Sequence, residues 1–385
     1  MYSEEDINSA VAAGAMSAEA AAGFRDHMSK RRELPRGSEE NFRLINSFND
    51  IFVTIGVVIL LVAVGAIGQA IAGIIAPVPD VDFFALEVGD AATQQWHAAS
   101  DLNESLSISL MGLFVAATAW PLAEFFTRRR HMALPSIVLL LAFVGGVFAT
   151  VLGGAVMYIE SGGNEQVGAV LVSVSALIAA VGAYFHWRRF MVPITVAAGA
   201  AAVAGTVIAL IVAGIGPDLL NENIVLTLVF VAGLAMFGFA MRWDMSDRER
   251  TTRRSDVAFW LHLLAAPMIA HPIFAMLGVT EGDNLGIGAA FGVIGVYIAF
   301  GLVALAVDRR ALLVSALVYV LFALTFLFRE FGAVELNFAL TALVIGSALL
   351  SLSAFWQPIR SAIVGALPGD LQARLPEPGV THASA

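Results

Sequence analysis

Two histidines, His262 and His271, stand inside one apolar stretch, "FWLHLLAAPMIAHPIF", together with two prolines, Pro267 and Pro272. Imidazole changes charge near neutral pH and ligates transition metals, so such a pair raises two possibilities, a metal site and a proton relay. The spacing decides the first. Nine residues at about 100° each point the two rings to opposite faces of a helix. A metal held by one helix needs a spacing such as i and i+4, so this helix alone builds no two-histidine metal site. The prolines act on the backbone: each removes an N–H and displaces a carbonyl one turn back, leaving the Leu263 and Met268 oxygens in need of partners. Two readings of the quartet follow. It is a packed kink whose carbonyls find partners among neighbouring side chains and water, or a candidate polar path in which one or both histidines relay a proton or substrate.

Other residues invite weaker readings. Arg329, in "FLFREFGAVELN", is a lone base near the acids Glu330, Glu335 and Glu281, and forms a candidate outer ion pair with Glu330 or Glu335. Exposed pairs of this kind contribute little. Glu124 precedes Arg128 by four residues, the spacing of a helical ion pair, and Asp308 beside Arg309 invites the same neutralising role. His97, next to Trp96 and four residues before Asp101, has a spacing that could face one ligand. "GAAFG", with Gly288 and Gly292, permits close helix packing. "MRWDMSDRERTTRRSD" carries five arginines and four acids, a net +1; it reads as topology-setting charge or as a patch for anionic headgroups. No GxSxG, HExxH, P-loop or dinucleotide fingerprint stands in a credible setting. Without cysteine the chain has no disulfide, thiolate metal site or cysteine nucleophile. The reading is therefore of a protein that is not an enzyme, with no metal, no cofactor and no nucleic-acid partner.

The elements that position these residues are membrane helices. Hydrophobic residues make up 59% of the 385 and charged ones 14%, too few for an ordinary soluble domain, where about a quarter is usual. Several apolar runs reach the roughly 20 residues that cross hydrocarbon as helix. No ten-residue alternation suggests a barrel, so helices must satisfy the backbone. The fold expected is all-α and polytopic, with ten spans at 51–75, 105–123, 134–158, 167–187, 191–213, 223–243, 257–278, 285–307, 311–328 and 337–356. Counted from Asp256 at ~1.5 Å per residue, His262 then lies about 9 Å deep, Pro267 about 16 Å and His271 about 22 Å.

Orientation follows from the bases. Of 21 lysines and arginines, all but Arg329 fall at ends or in turns on one side, which the positive-inside rule makes cytoplasmic. Both termini are then cytoplasmic. Fourteen of the 31 acids face outward, so the formal charge is −13 outside and +3 inside, within the total of −10. Four hairpins repeat between a leading and a closing span, each turning at arginines: "EFFTRRRHMALP", "YFHWRRFMVP", the arginine run ending at Arg254, and "LAVDRR". All copies share one orientation, unlike the inverted repeats of many secondary transporters.

Outside the spans lie three parts. Residues 1–50 hold a helical pair in 3–31, with Gly14 ending the first helix and Ser17 capping the second, and a linker. The outer loop 77–104 carries a short helix that Asp90 can cap, bearing Trp96. Residues 357–385 form a cytoplasmic tail, Pro-rich and polar after Pro368, expected to be disordered. The first 50 residues have no apolar core of a cleavable signal, so the first span is read as an anchor.

The cytoplasmic "AGAMSAEAAAGF" turn followed by "FNDIFVTIGVVILLVAVGAIG" resembles the predicted bacterial membrane proteins grouped as domain of unknown function 2157. The resemblance covers the organisation of about the first 75 residues and, more loosely, the arginine-turn hairpins. It implies a short cytoplasmic helical pair and a multispan region of repeated hairpins, and it carries no catalytic or binding residues; the multispan organisation without a cleavable signal is itself read as that of a bacterial inner-membrane protein. Two functions are compatible with the whole: a transporter or channel for a small solute or cation beside the seventh span, or a membrane scaffold or sensor whose residues 1–31 meet a protein partner. The lipid bilayer is the partner common to both.

Overall fold

The computed structural model describes residues 11–24, 48–80, 91–216, 219–248, 250, 252–279, 286–331 and 336–376. Among them every regular element is a helix, and ten helices are long and apolar enough to cross a membrane. The chain is an all-α integral membrane protein. The spans are α1 (Phe48–Ile75), α2 (Ala91–Ala123), α3 (Ala133–Glu160), α4 (Glu165–Phe190), α5 (Ile194–Ile215), α6 (Glu222–Met245), α7 (Arg253–Met276), α8 (Ile287–Val307), α9 (Ala311–Glu330) and α10 (Asn337–Ala354). Two short helices follow, α11 (Trp356–Gly365) and α12 (Gly369–Gln372).

Local chemistry sets the ends. Asn164 and Asn221 accept from Val167 N and Ile224 N at 3.1 and 3.0 Å and so cap α4 and α6. Pro135 falls in the first turn of α3, where its missing N–H costs no helical bond. After α4 the chain reverses through Met191 at φ 54°, whose N–H returns to Trp187 O. In the N-terminal part Gly14 takes φ 70°, and Ser17 Oγ accepts from Ala20 N at 3.0 Å. Those are the helix stop and cap read from the sequence.

Two boundaries differ from expectation. Helix α2 starts at Ala91 and continues past Ala123 as a π-helix, Glu124–Arg129, so the second half of the outer loop is not a separate short helix. Residues 91–104 contain no glycine or proline and four alanines, and nothing interrupts the helical ladder. Asn103 Nδ2 also donates to Ala76 O at the end of α1 at 2.8 Å, tying the extension down. Asp90 lies outside the described residues. At the other end of the chain, residues 357–376 are folded rather than disordered. Helix α11 buries Trp356, Arg360 and Val364, one face at i, i+4 and i+8, and Leu375 packs with Val307 and Val364. Residues 377–385 lie outside the described residues.

Neighbours in sequence pack as neighbours in space, through α2 on α3, α4 on α5, α6 on α7 and α8 on α9. Helices α2 and α3 meet at glycines: a Cβ on Gly112 would lie 2.6 Å from Gly146 O, and one on Gly146 equally close to Gly112 O. Gly288 and Gly292 of "GAAFG" make no such approach; a Cβ on Gly292 would meet only Leu277, at 3.5 Å. Helix α7 is the inner element, packed on α5, α6 and α9. Its Leu261, Ala265, Ile269 and Phe274 enter a core shared with Val293 and Phe300 of α8 and with Ala316 and Val320 of α9. Large apolar side chains such as Phe52, Ile74, Val203 and Phe322 are exposed around the outside. In water such a surface would aggregate; in a bilayer it faces hydrocarbon.

Candidate functional site

The connectivity gathers the arginine-bearing turns at one end of the bundle, and two buried carboxylates organise that end. Asp244 lies in the last turn of α6 and is 1% exposed. A charge so placed must be paired or it is prohibitively unfavourable. Arg309, in the turn between α8 and α9 and 2% exposed, reaches it. Its Nη2 donates to Asp244 Oδ1 at 2.6 Å and its Nε to Oδ2 at 3.3 Å. Nη2 also donates to Ser255 O at 3.0 Å and Ser255 Oγ at 3.3 Å, at the start of α7.

His262 completes this centre. Its Nε2 lies 2.9 Å from Asp244 Oδ2, and the ring stands edge-on to Phe237 with centroids 5.1 Å apart. An ionised carboxylate only accepts, so the proton of this bond sits on Nε2. The side chain is 1% exposed. One helix supplies the acid, one the imidazole and one turn the guanidinium. Opposite charges cancel in a dry setting, and geometry of this kind favours a single arrangement of the three elements.

A second centre forms around Asp308. At φ 60° this residue ends α8 in the left-handed region, which aspartate tolerates better than most residues. Its Oδ2 accepts from Arg250 Nη1 at 2.9 Å and its Oδ1 from Trp356 Nε1 at 2.6 Å. Arg250 Nη2 donates to the Val307 and Asp308 carbonyls, both at 3.1 Å, satisfying the end of α8. Arg360 Nε stands 3.7 Å from Asp308 Oδ1, and burial lowers the pKa of this guanidinium against the pull of that carboxylate. Its Nη2 donates to Pro376 O at 2.6 Å, while Arg248 Nε donates to Leu375 O at 3.0 Å. The C-terminal segment is thus held by two arginines from different elements. Asp247 caps α7, accepting from Thr252 N at 2.9 Å, Thr252 Oγ1 at 2.8 Å and Ser255 N at 3.3 Å.

Searches against protein-family models, curated proteins and solved structures find no match to this chain.

His262 and His271 are not brought together. His262 belongs to the Asp244 centre, whereas His271 is exposed and its Nδ1 shares a hydrogen bond of 2.8 Å with Tyr319 Oη of α9. Pro272 is buried and Pro267 exposed, and both lie inside the one helix α7. Arg329 and Glu330 are both exposed, and among the described residues no ion pair joins them; Glu335 and Glu281 lie outside those residues. Glu124 does pair with Arg128, at 3.3 Å, and also with Arg189 of the next turn, at 2.5 Å. Asp308 and Arg309 part company: they are neighbours in sequence but take Arg250 and Asp244 as their respective partners. The left-handed turn at Asp308 sends the two side chains to different centres. His97 stacks edge-on with Trp96, and no cluster of three metal-ligating side chains occurs among the described residues.

One buried histidine escaped the sequence reading. His186 of α4 is fully buried, lies 3.3 Å by Nδ1 from Thr195 Oγ1, and is boxed by Trp120, Phe143 and Phe190. Its box is drawn from three helices, so no local spacing announces it.

Proposed function

We propose that this protein is a membrane scaffold or sensor that works from its arginine-rich, cytoplasmic end and meets a protein partner through residues 1–31. The observation that carries this reading is the seal on His262. The one ionisable group that α7 buries among its neighbours is 1% exposed and bonded to Asp244, which Arg309 holds from another turn. A helix that opens a path for solute needs its polar groups at water. Here the polar groups instead lock α6, α7 and the α8–α9 turn into one platform. Arg250, Arg360 and Arg248 extend that platform to the C-terminal segment. The bacterial inner membrane is the setting this reading takes from the arginine distribution and from the likeness to domain of unknown function 2157.

Two measurements test it. Full-length protein in liposomes should pass no protons or K+ above protein-free vesicles. Flux that His262→Ala abolishes would overturn the reading in favour of a transporter or channel for a small solute or cation. Cross-linking in native membranes should capture a partner that is lost when residues 1–31 are deleted. Unchanged capture by the deleted chain would count against the role given to the helical pair.

A further inference from the structure

Helix α10 is the least firmly held of the closing spans. Its buried residues are Thr341 and Ile345, both in the half remote from the arginine-rich end. Nearer that end, α9 and α10 are separated by a cleft of about 210 Å³. Leu313 and Leu317 line it from α9, Leu349 and Leu352 from α10, and Trp356 with Arg310 closes its end. The walls are almost wholly apolar. In a bilayer the molecule that meets such walls is a lipid chain.

The end of the cleft selects among lipids. Arg310 is exposed, and its guanidinium lies 4.7 Å over the Trp356 ring. Stacking fixes the plane of the guanidinium while leaving its N–H edges free to bond an oxyanion. Asp308, two residues earlier, does not compete for it. Asp308 is turned the other way, to Arg250 and to the indole N–H of that same Trp356. Tryptophan and arginine at this depth are the residues that meet headgroups.

We propose that the cleft between α9 and α10 is a binding site for an anionic phospholipid, with one acyl chain between the leucines and the headgroup phosphate on Arg310. The lipid then adds a packing layer beside α10 at its arginine-rich end. One arginine near a membrane surface favours an anionic headgroup by about fivefold, from the ~1 kcal/mol expected per charge.

Native mass spectrometry of the full-length protein tests this, with phosphatidylglycerol and phosphatidylcholine of matched chains supplied together. The wild type should retain phosphatidylglycerol about fivefold over phosphatidylcholine. Arg310→Ala should bring that ratio to about one, Arg310→Lys should keep most of it, and Leu349→Phe, which fills the cleft, should reduce retention of both lipids. Arg310 is exposed, so its replacement leaves the core intact. An unchanged ratio in Arg310→Ala would overturn the headgroup assignment, and unchanged retention in Leu349→Phe would overturn the chain site. Displacement of phosphatidylglycerol by millimolar inorganic phosphate would overturn it too, marking a free-anion site instead.

Discussion

Asp244 and Arg309 are 65 residues apart in the chain and 2.6 Å apart in the fold, each at most 2% exposed. They tie the end of α6 to the turn of the α8–α9 hairpin. Removing one partner leaves a charge buried with no counter-charge, which costs about 3–5 kcal/mol. We expect Arg309→Ala to lower the unfolding free energy by that amount. Replacing both residues with leucine should cost far less than the sum of Asp244→Leu and Arg309→Leu made singly. Unfolding of the four proteins in mixed detergent micelles gives the coupling directly, and additive losses would show that the pair is not a unit.

The two histidines of α7 should behave differently. His262→Phe removes the Nε2–H donor to Asp244 from a closed pocket and should destabilise by about 1–3 kcal/mol. His271→Phe alters an exposed side chain bonded to Tyr319 and should stay within about 0.5 kcal/mol. Thermal melts of the purified variants distinguish them, and equal losses would contradict the assigned burial.

Gly145 and Gly146 offer a paired test of the α2–α3 crossing. A Cβ at Gly146 would press on Gly112 O and on Ala116, while one at Gly145 meets nothing within 4 Å. Gly146→Ala should cost about 1–3 kcal/mol through overpacking. Gly145→Ala should be neutral or slightly stabilising, because alanine is the better helix former. Melting temperatures of the two variants should separate clearly, with Gly146→Ala the lower.

The C-terminal segment should come loose when its arginines are removed. Arg360 and Arg248 hold the carbonyls of Pro376 and Leu375. The Arg248→Ala, Arg360→Ala double variant should be cut by protease between residues 366 and 376 at concentrations that leave the wild type whole. Peptide mapping of the first cleavage checks this. Equal resistance would mean that packing of Leu375 against Val307 and Val364 suffices alone.

Hydropathy and the arginine turns made the ten spans legible, because length and polarity are properties of consecutive residues. The same locality explains the misses. Helix α2 outran its apolar stretch because residues 91–104 are good helix formers without being hydrophobic, so its start is invisible to hydropathy. The Glu124–Arg128 pair was readable from its spacing, but Arg189 comes from another hairpin. Asp308 and Arg309 look like mutual partners in sequence, and a single left-handed residue separates them. His262 could be singled out as unusual. Its acid could not, since Asp244 stands among the charges of a turn and is distinguished only by burial.

The central position of α7 has a consequence for how the protein is made. Over half of its most apolar stretch is enclosed, 56%, compared with 11% for α5 and 17% for α6, so it cannot reach its final surroundings as soon as it is synthesised. When the α6–α7 hairpin leaves the ribosome, Asp244 and His262 are present and Arg309 is not. Until the α8–α9 turn follows with the guanidinium, Asp244 has His262 but not its counter-charge. The surroundings of α7, drawn from α5, α6 and α9, are therefore complete only once the α8–α9 hairpin has been made.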